Sequence, residues 1–220
     1  MHDPSFYVAG ANTIAVLVLL VEFMMMRTSL LRAQVHLSAV QSFIVSVLAV
    51  VVAVDRGINE LYALALLSFL LKAIAVPYVI MRLLRDAKVE IAGSGSISVA
   101  SEVLLAIVVA GFGFFAIGAL DLPSRVLPQA ALSLSMATIL VAFVIMIVRN
   151  DVVSQAIGFF SLENGVSLAS LVVAAGLPLI LEVAFLFDLL VAVVVFGVLM
   201  RVHHQRTQSL STRGLTSLRG

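Results

Sequence analysis

The stretch VVSQAIGFFSLENGVSLASLVVAA, residues 152–175, is long and apolar enough to cross a bilayer, yet Glu163 and Asn164 stand at its middle. About 20 apolar residues, rising about 1.5 Å each, match a hydrocarbon core about 30 Å thick. Glu163 lies 13 residues beyond Asn150, the polar residue at which the span begins. Two other charges repeat the spacing, because Lys72 stands 13 residues before Arg85 and Asp188 stands 13 before Arg201. That places all three roughly 20 Å from one membrane face, in one polar layer. An ionised group at that depth costs at least about 2.5 kcal/mol, and such groups face a bundle interior or a water path and mark ion or proton routes.

The composition around this layer points the same way. Hydrophobic residues make up 62% of the 220, charged residues 11%, and mean hydropathy is +1.20, against about 25% charged residues in ordinary soluble domains. An all-α, polytopic membrane helical bundle is expected, with one membrane domain over residues 1–220 and any catalytic head on another chain. With no cysteine, the chain offers neither disulfides nor thiolate ligands for an iron–sulfur cluster. His2, His36, His203 and His204 show no ligand spacing on one helical face, and Met24, Met25 and Met26 read as core or lipid-facing filling. No metal or cofactor is expected in this chain.

Apolar windows run over residues 8–26, 35–54, 61–84, 99–120, 129–148, 152–175 and 178–202, which predicts about seven transmembrane helices. The first window has no small-residue cleavage site and reads as a retained span. Ten basic residues (Arg27, Arg32, Arg82, Arg85, Lys88, Arg149, Arg201, Arg206, Arg213 and Arg219) fall on one side, and Arg56 and Arg125 on the other. This asymmetry predicts the N-terminus outside and the C-terminus in the cytoplasm, with residues 203–220 as a basic cytoplasmic tail that meets lipid headgroups and not nucleic acid.

Residues 30–90 and 148–204 read as a possible internal repeat. In each, an arginine (Arg32 or Arg149) opens a span, a polar pair follows (Gln41-Ser42 or Glu163-Asn164), and the next span returns with a buried charge (Lys72 or Asp188), at offsets of 122 and 116 residues. Parallel repeats are common in transporter folds.

Desolvation favours a neutral acid and a neighbouring cation favours the carboxylate, so Glu163, set among Phe159, Phe160, Leu162 and Val166, suits a group that loads and releases protons. Asn164 and Ser161 can hydrogen-bond neighbouring helices, while Gly158 and Gly165 admit close packing or water. Pro77 lacks an N–H, frees the carbonyl of Ala73 and predicts a kink beside Lys72. A plain ion pair between Lys72 and Glu163 or Asp188 is the structural alternative. Glu22 and Glu102 lie near the inner ends of their spans, within snorkelling reach of the interface, and Glu182, near the outer end of the last span, reads as an outer relay or a solvated acid.

These residues resemble a known family. Arg149-Asn150, the run Gln155-Ala-Ile-Gly-Phe-Phe-Ser-Leu-Glu-Asn-Gly165, and Leu181-Glu-Val-Ala-Phe-Leu-Phe-Asp188 are similar to the E component of hydrogenase-4, a membrane subunit of formate hydrogenlyase-type complexes. The ending Gly214-Leu-Thr-Ser-Leu-Arg-Gly220 resembles that family's tail, and Gln41-Ser42 with Lys72-Ala-Ile-Ala-Val-Pro77 resembles its first half. The second half is also similar to the small K-type membrane subunit of complex I and to the C subunit of multisubunit Na+/H+ antiporters. The resemblance implies two intramembrane acids in a proton path, falling on Glu163 and Asp188, and partner subunits that carry nickel–iron and iron–sulfur centres. Against the K-type pattern, the second acid is aspartate, the loop between the two helices is shorter, and four spans precede them.

Three functional classes follow. The leading one is a non-catalytic membrane subunit of a hydrogenase-4 or complex I-like respiratory assembly in a bacterial or archaeal cytoplasmic membrane, placed between the redox module and antiporter-like subunits. Its proton path would draw on Glu163, Asp188, Lys72, Gln41, Asn164, Glu182, Glu102 and Glu22. A subunit of a multisubunit Na+/H+ antiporter comes second, and a structural membrane anchor third. A retinal protein is disfavoured, because the one buried lysine lies in span three and there is no tryptophan.

Overall fold

The computed structural model describes residues 4–87, 91–92, 95–120, 128–173 and 197. Among these residues the chain is helical: α1 (Pro4–Arg27), α2 (Leu31–Arg56), α3 (Asn59–Ser68), a π-helical stretch (Phe69–Ala75), α4 (Val76–Ala87), α5 (Val99–Gly118), α6 (Gln129–Val148) and α7 (Val152–Val173). Helix α3, the π-helical stretch and α4 form one continuous span. Among the described residues six helices are therefore long and apolar enough to cross a membrane. The expected span 178–202, with Glu182 and Asp188, and the tail 203–220 lie outside the described residues, apart from Gly197.

Each connection has a local cause. Gly57 ends α2 in the left-handed conformation (φ 65°) and donates its N–H to the Ala53 carbonyl, a conformation that costs glycine nothing and any other residue a Cβ clash. Asp151 caps α7 by accepting from the Ser154 N–H at 2.7 Å, and Ser98 caps α5 through the Ser101 N–H. At the arginine-rich end, Ala92 donates its N–H to Ser29 (2.7 Å) and Ser96 to Val148 (2.9 Å), which ties the connections there to one another.

Helices α1, α2, α6 and α7 form the centre, with α5 packed on α6 and the third span on α2. Hydrogen bonds fix the direction of the α2–α7 pair. Gln34 meets Ser154 and Gln41 meets Ser161, so both helices advance by seven residues between contacts and run parallel in register. The buried faces share that spacing, Gln34, Gln41 and Leu48 on α2 and Ser154, Ser161 and Leu168 on α7, as in left-handed coiled coils. Two apolar layers bracket the middle of this seam. One gathers Met25, Leu31, Val35, Leu84, Ile157 and Phe160, and the other Leu48, Val52, Leu61, Leu168 and Val172. The polar residues lie between them.

Lipid tails are as apolar as leucine, so helices associate here by close packing of small residues. A Cβ on Gly165 would stand 2.8 Å from Ile139 Cγ1 and 3.2 Å from the Ile139 backbone N, and one on Gly158 would stand 2.8 Å from Met146 Cγ and 3.2 Å from the Ala142 carbonyl. Both glycines let α7 lie against α6. Gly165→Ala gains about 1 kcal/mol of helix propensity but adds an overpacking cost of about 1–3 kcal/mol. A lowered unfolding midpoint in dodecyl sulfate titration is expected, and a raised one would show that α6 gives way freely.

The π-helical stretch was not legible in the sequence, which predicts a kink at Pro77. The Val76 N–H reaches back five residues to the Leu71 carbonyl, and Pro77, which cannot donate, follows at once. The buried positions of this span, Leu61, Ala65, Lys72, Val76, Ile80 and Leu84, mostly recur every four residues. At 100° per residue a straight α-helix would set Leu61 and Leu84 about 140° apart. The wider π turn takes back part of that drift and keeps Lys72 on the face that meets α2 and α7.

Candidate proton-transfer site

Lys72 and Glu163 form an ion pair, Nζ to Oε2 3.3 Å, with side chains 7% and 13% exposed. The lysine also donates to Ser167 Oγ at 3.4 Å, and Ser167 donates to the Glu163 carbonyl one turn back. The pair lies on the wall of a half-open cavity of about 250 Å³ between α2, the third span and α7, whose other polar side chains are Ser46, Ser68, Ser167 and Ser170. Phe159, Leu162 and Val166 supply part of its apolar lining. Here a cation and a carboxylate share a mostly apolar space large enough for several water molecules.

Directly behind the pair, α2 and α7 enclose a hydrogen-bonded cluster. Asn164 donates from Nδ2 to Gln41 Oε1 (3.1 Å) and to Ser42 Oγ (3.0 Å). Gln41 Nε2 donates to Ser161 Oγ (2.9 Å) and, at 3.3 Å, to the Val18 carbonyl. Ser161 donates in turn to Glu22 Oε1 at 2.7 Å. Glu22, Gln41, Ser161 and Asn164 are all 0% exposed.

Glu22 thereby departs from the snorkelling expectation. Side chains on a helix lean toward its N-terminus, and Glu22 has only five residues of α1 after it. Its carboxyl leans away from the nearer end of the bundle and into the α2–α7 seam. Glu102 is near a helix end as expected, but it too is enclosed (1% exposed) because Arg149 covers it, Nε to Oε1 2.9 Å. The same guanidinium donates from Nη2 to the Met26 carbonyl at the end of α1.

The structure thus brings together Lys72, Glu163, Gln41, Asn164 and Glu22, and sets Glu102 apart in a second ion pair. Asp188 and Glu182 lie outside the described residues. Sequence reasoning missed Gln34, Ser38, Ser46 and Ser154, which continue the polar face of the seam. Their signal was a spacing of three and four residues along α2, shared by Gln34, Ser38, Gln41 and Ser42. Met25 and Met26 are core residues while Met24 is exposed. Among the described residues no group of three or more His, Asp or Glu side chains is arranged to hold a metal ion.

No protein-family model matches the chain, and no solved structure matches it. The chain is similar to "Uncharacterized protein Rv0085" of Mycobacterium tuberculosis (strain ATCC 25618 / H37Rv), 29% identical over 173 residues that cover 77% of each chain.

Proposed function

We propose that the chain is a non-catalytic integral membrane subunit of a hydrogenase-4 or complex I-like respiratory assembly, in which it passes protons through the membrane between a redox module and antiporter-like subunits. The observation that carries this reading is the Lys72–Glu163 pair on the wall of a half-open cavity within the bundle. A static clasp needs no cavity, and buried ion pairs are a poor source of stability. A carboxylate beside a cation that water can reach is what a proton-exchanging site requires.

The resemblance of residues 149–165 and 181–188 to hydrogenase-4 component E supplies the rest of the proposal. It implies Asp188 as the second acid, and Glu182, by its position near the outer end of the same span, is the candidate outer relay. It also implies a bacterial or archaeal cytoplasmic membrane and partner subunits carrying the nickel–iron and iron–sulfur centres, while the apolar windows and the uneven basic residues support seven spans with the N-terminus outside and a basic cytoplasmic tail. A subunit of a multisubunit Na+/H+ antiporter shares the same site without a redox partner. Neighbouring genes separate the two, since hydrogenase subunits beside this one favour the first reading.

The test is donor-driven acidification of membrane vesicles carrying Glu163→Gln, with the double variant Lys72→Met/Glu163→Gln beside it because it leaves no unpaired charge. Assembled complexes of both are expected to lose about tenfold or more of their proton transport, the factor given by about 1.4 kcal/mol on a barrier. Normal transport by the assembled double variant would sink the proton-path reading and leave the chain as an anchor.

A further inference from the structure

Five polar side chains run along the face of α2 that meets α7: Gln34, Ser38, Gln41, Ser42 and Ser46, none more than 5% exposed. At about 1.5 Å per residue the stripe is about 18 Å long. At the arginine-rich end, Gln34 donates to the carbonyl of Thr28 in the part-exposed α1–α2 turn (2.6 Å) and accepts from Ser154 (2.9 Å). At the other end Ser46, which donates to the Ser42 carbonyl at 2.9 Å, lines the cavity that holds Lys72 and Glu163. Polar contacts between membrane helices average only about 0.6 kcal/mol each, so stability gives little reason to set so many along one seam. Glu22 faces the middle of the stripe. Its Oε1 accepts from Ser161, while its buried Oε2 has no hydrogen-bond partner among the described residues.

We propose that the α2–α7 seam is the route by which protons pass between the arginine-rich end of the bundle and the Lys72–Glu163 pair, with Glu22 as the acid that holds a proton midway. This rests on the reading of that pair as a proton-transfer site. A lone buried carboxylate with one hydroxyl donor is costly, whereas the neutral acid needs no counter-charge. Release leaves the carboxylate on Glu22, with Oε1 held by Ser161, and puts the proton on a neighbouring water or hydroxyl oxygen; uptake reverses this. Hydroxyls donate and accept at once, so Ser161 and Ser42, held in place by the amides of Gln41 and Asn164, relay directly, while Ser46, whose hydroxyl donates to the Ser42 backbone carbonyl, and Ser38 take part through bridging water. The contacts at Gln34 and Gln41 are about 10 Å apart along α2, and Ser38 between them is where water bridges the gap.

Infrared spectroscopy of the full chain in lipid nanodiscs tests this. A C=O band of a protonated carboxyl is expected that disappears in Glu22→Gln, persists in Glu163→Gln and Glu102→Gln, and shifts to lower frequency when the sample is moved into D2O. Ser38→Val and Gln41→Leu are expected to slow that shift by about tenfold or more; Ser38→Val, the milder change, decides the matter if Gln41→Leu does not fold. A band untouched by Glu22→Gln removes the midway acid, and exchange unchanged in Ser38→Val removes the route. Failure of the pair reading shows itself differently, as normal transport by Lys72→Met/Glu163→Gln with the infrared results intact.

Discussion

Lys72→Met, made alone, is expected to destabilise the bundle by about 3–5 kcal/mol, because it strands the Glu163 carboxylate where its cation had been. The size of the effect is diagnostic. Loss of a neutral hydrogen bond between membrane helices costs about 0.6 kcal/mol on average and at most about 1.7, so a larger loss identifies an uncompensated charge. A methionine side chain keeps the apolar stem of the lysine and fills much the same volume, which leaves little cavity cost to confuse the reading. Adding Glu163→Gln removes the stranded charge, and the double variant is expected to recover most of the loss. Dodecyl sulfate unfolding of the two single variants and the double closes a thermodynamic cycle. A double variant no more stable than Lys72→Met would show that the lysine acts through packing alone. The partly exposed carboxylate, 13% against 7% for the lysine, sets the loss toward the lower end of the range.

What the sequence disclosed about this site was its depth. Thirteen residues of helix from a polar end placed Lys72 and Glu163 at one level, and they meet there. Depth follows from counting, because the rise per residue is constant. Azimuth does not, and the features that went unread depend on azimuth. The π-helical stretch resets the face of the third span without any residue type that encodes it, Pro77 marking only where it ends. Glu22 looked interfacial by position, but the backward lean of helical side chains carried it inward. Serines at 38, 46 and 154 drew no reading, because a serine in a membrane helix serves close packing as readily as hydrogen bonding. Only the parallel register of α2 and α7 shows that they share a seam. Ser42 and Asn164, which hydrogen-bond across that seam, are also separated by the 122 residues that relate the two halves of the possible repeat.

Arg149→Leu is expected to cost as much as the lysine change or more, since one guanidinium ties α5 to the end of α1. It neutralises Glu102 of α5, 1% exposed, and donates to the Met26 carbonyl, one of the four at the end of α1 that no helical N–H can reach. Without it Glu102 is a buried charge with no cation, a loss of about 3–5 kcal/mol, and the favourable placement of a cation at a helix C-terminus goes with it, about 0.3–1 kcal/mol. Arg149→Lys keeps the charge but replaces a planar fork by a single ammonium. One point charge cannot hold the Glu102 and Met26 geometries together, so about half of the loss is expected to remain. Glu102→Gln preserves an acceptor for Nε and is expected to be the mildest of the three. The two ion pairs share no partner, and Arg149→Leu combined with Lys72→Met should therefore be additive within about 0.5 kcal/mol. A larger departure in the same unfolding experiment would mean that the end of the bundle and its polar centre move together, which would make the Arg149 clamp and the Lys72–Glu163 pair one cooperative unit.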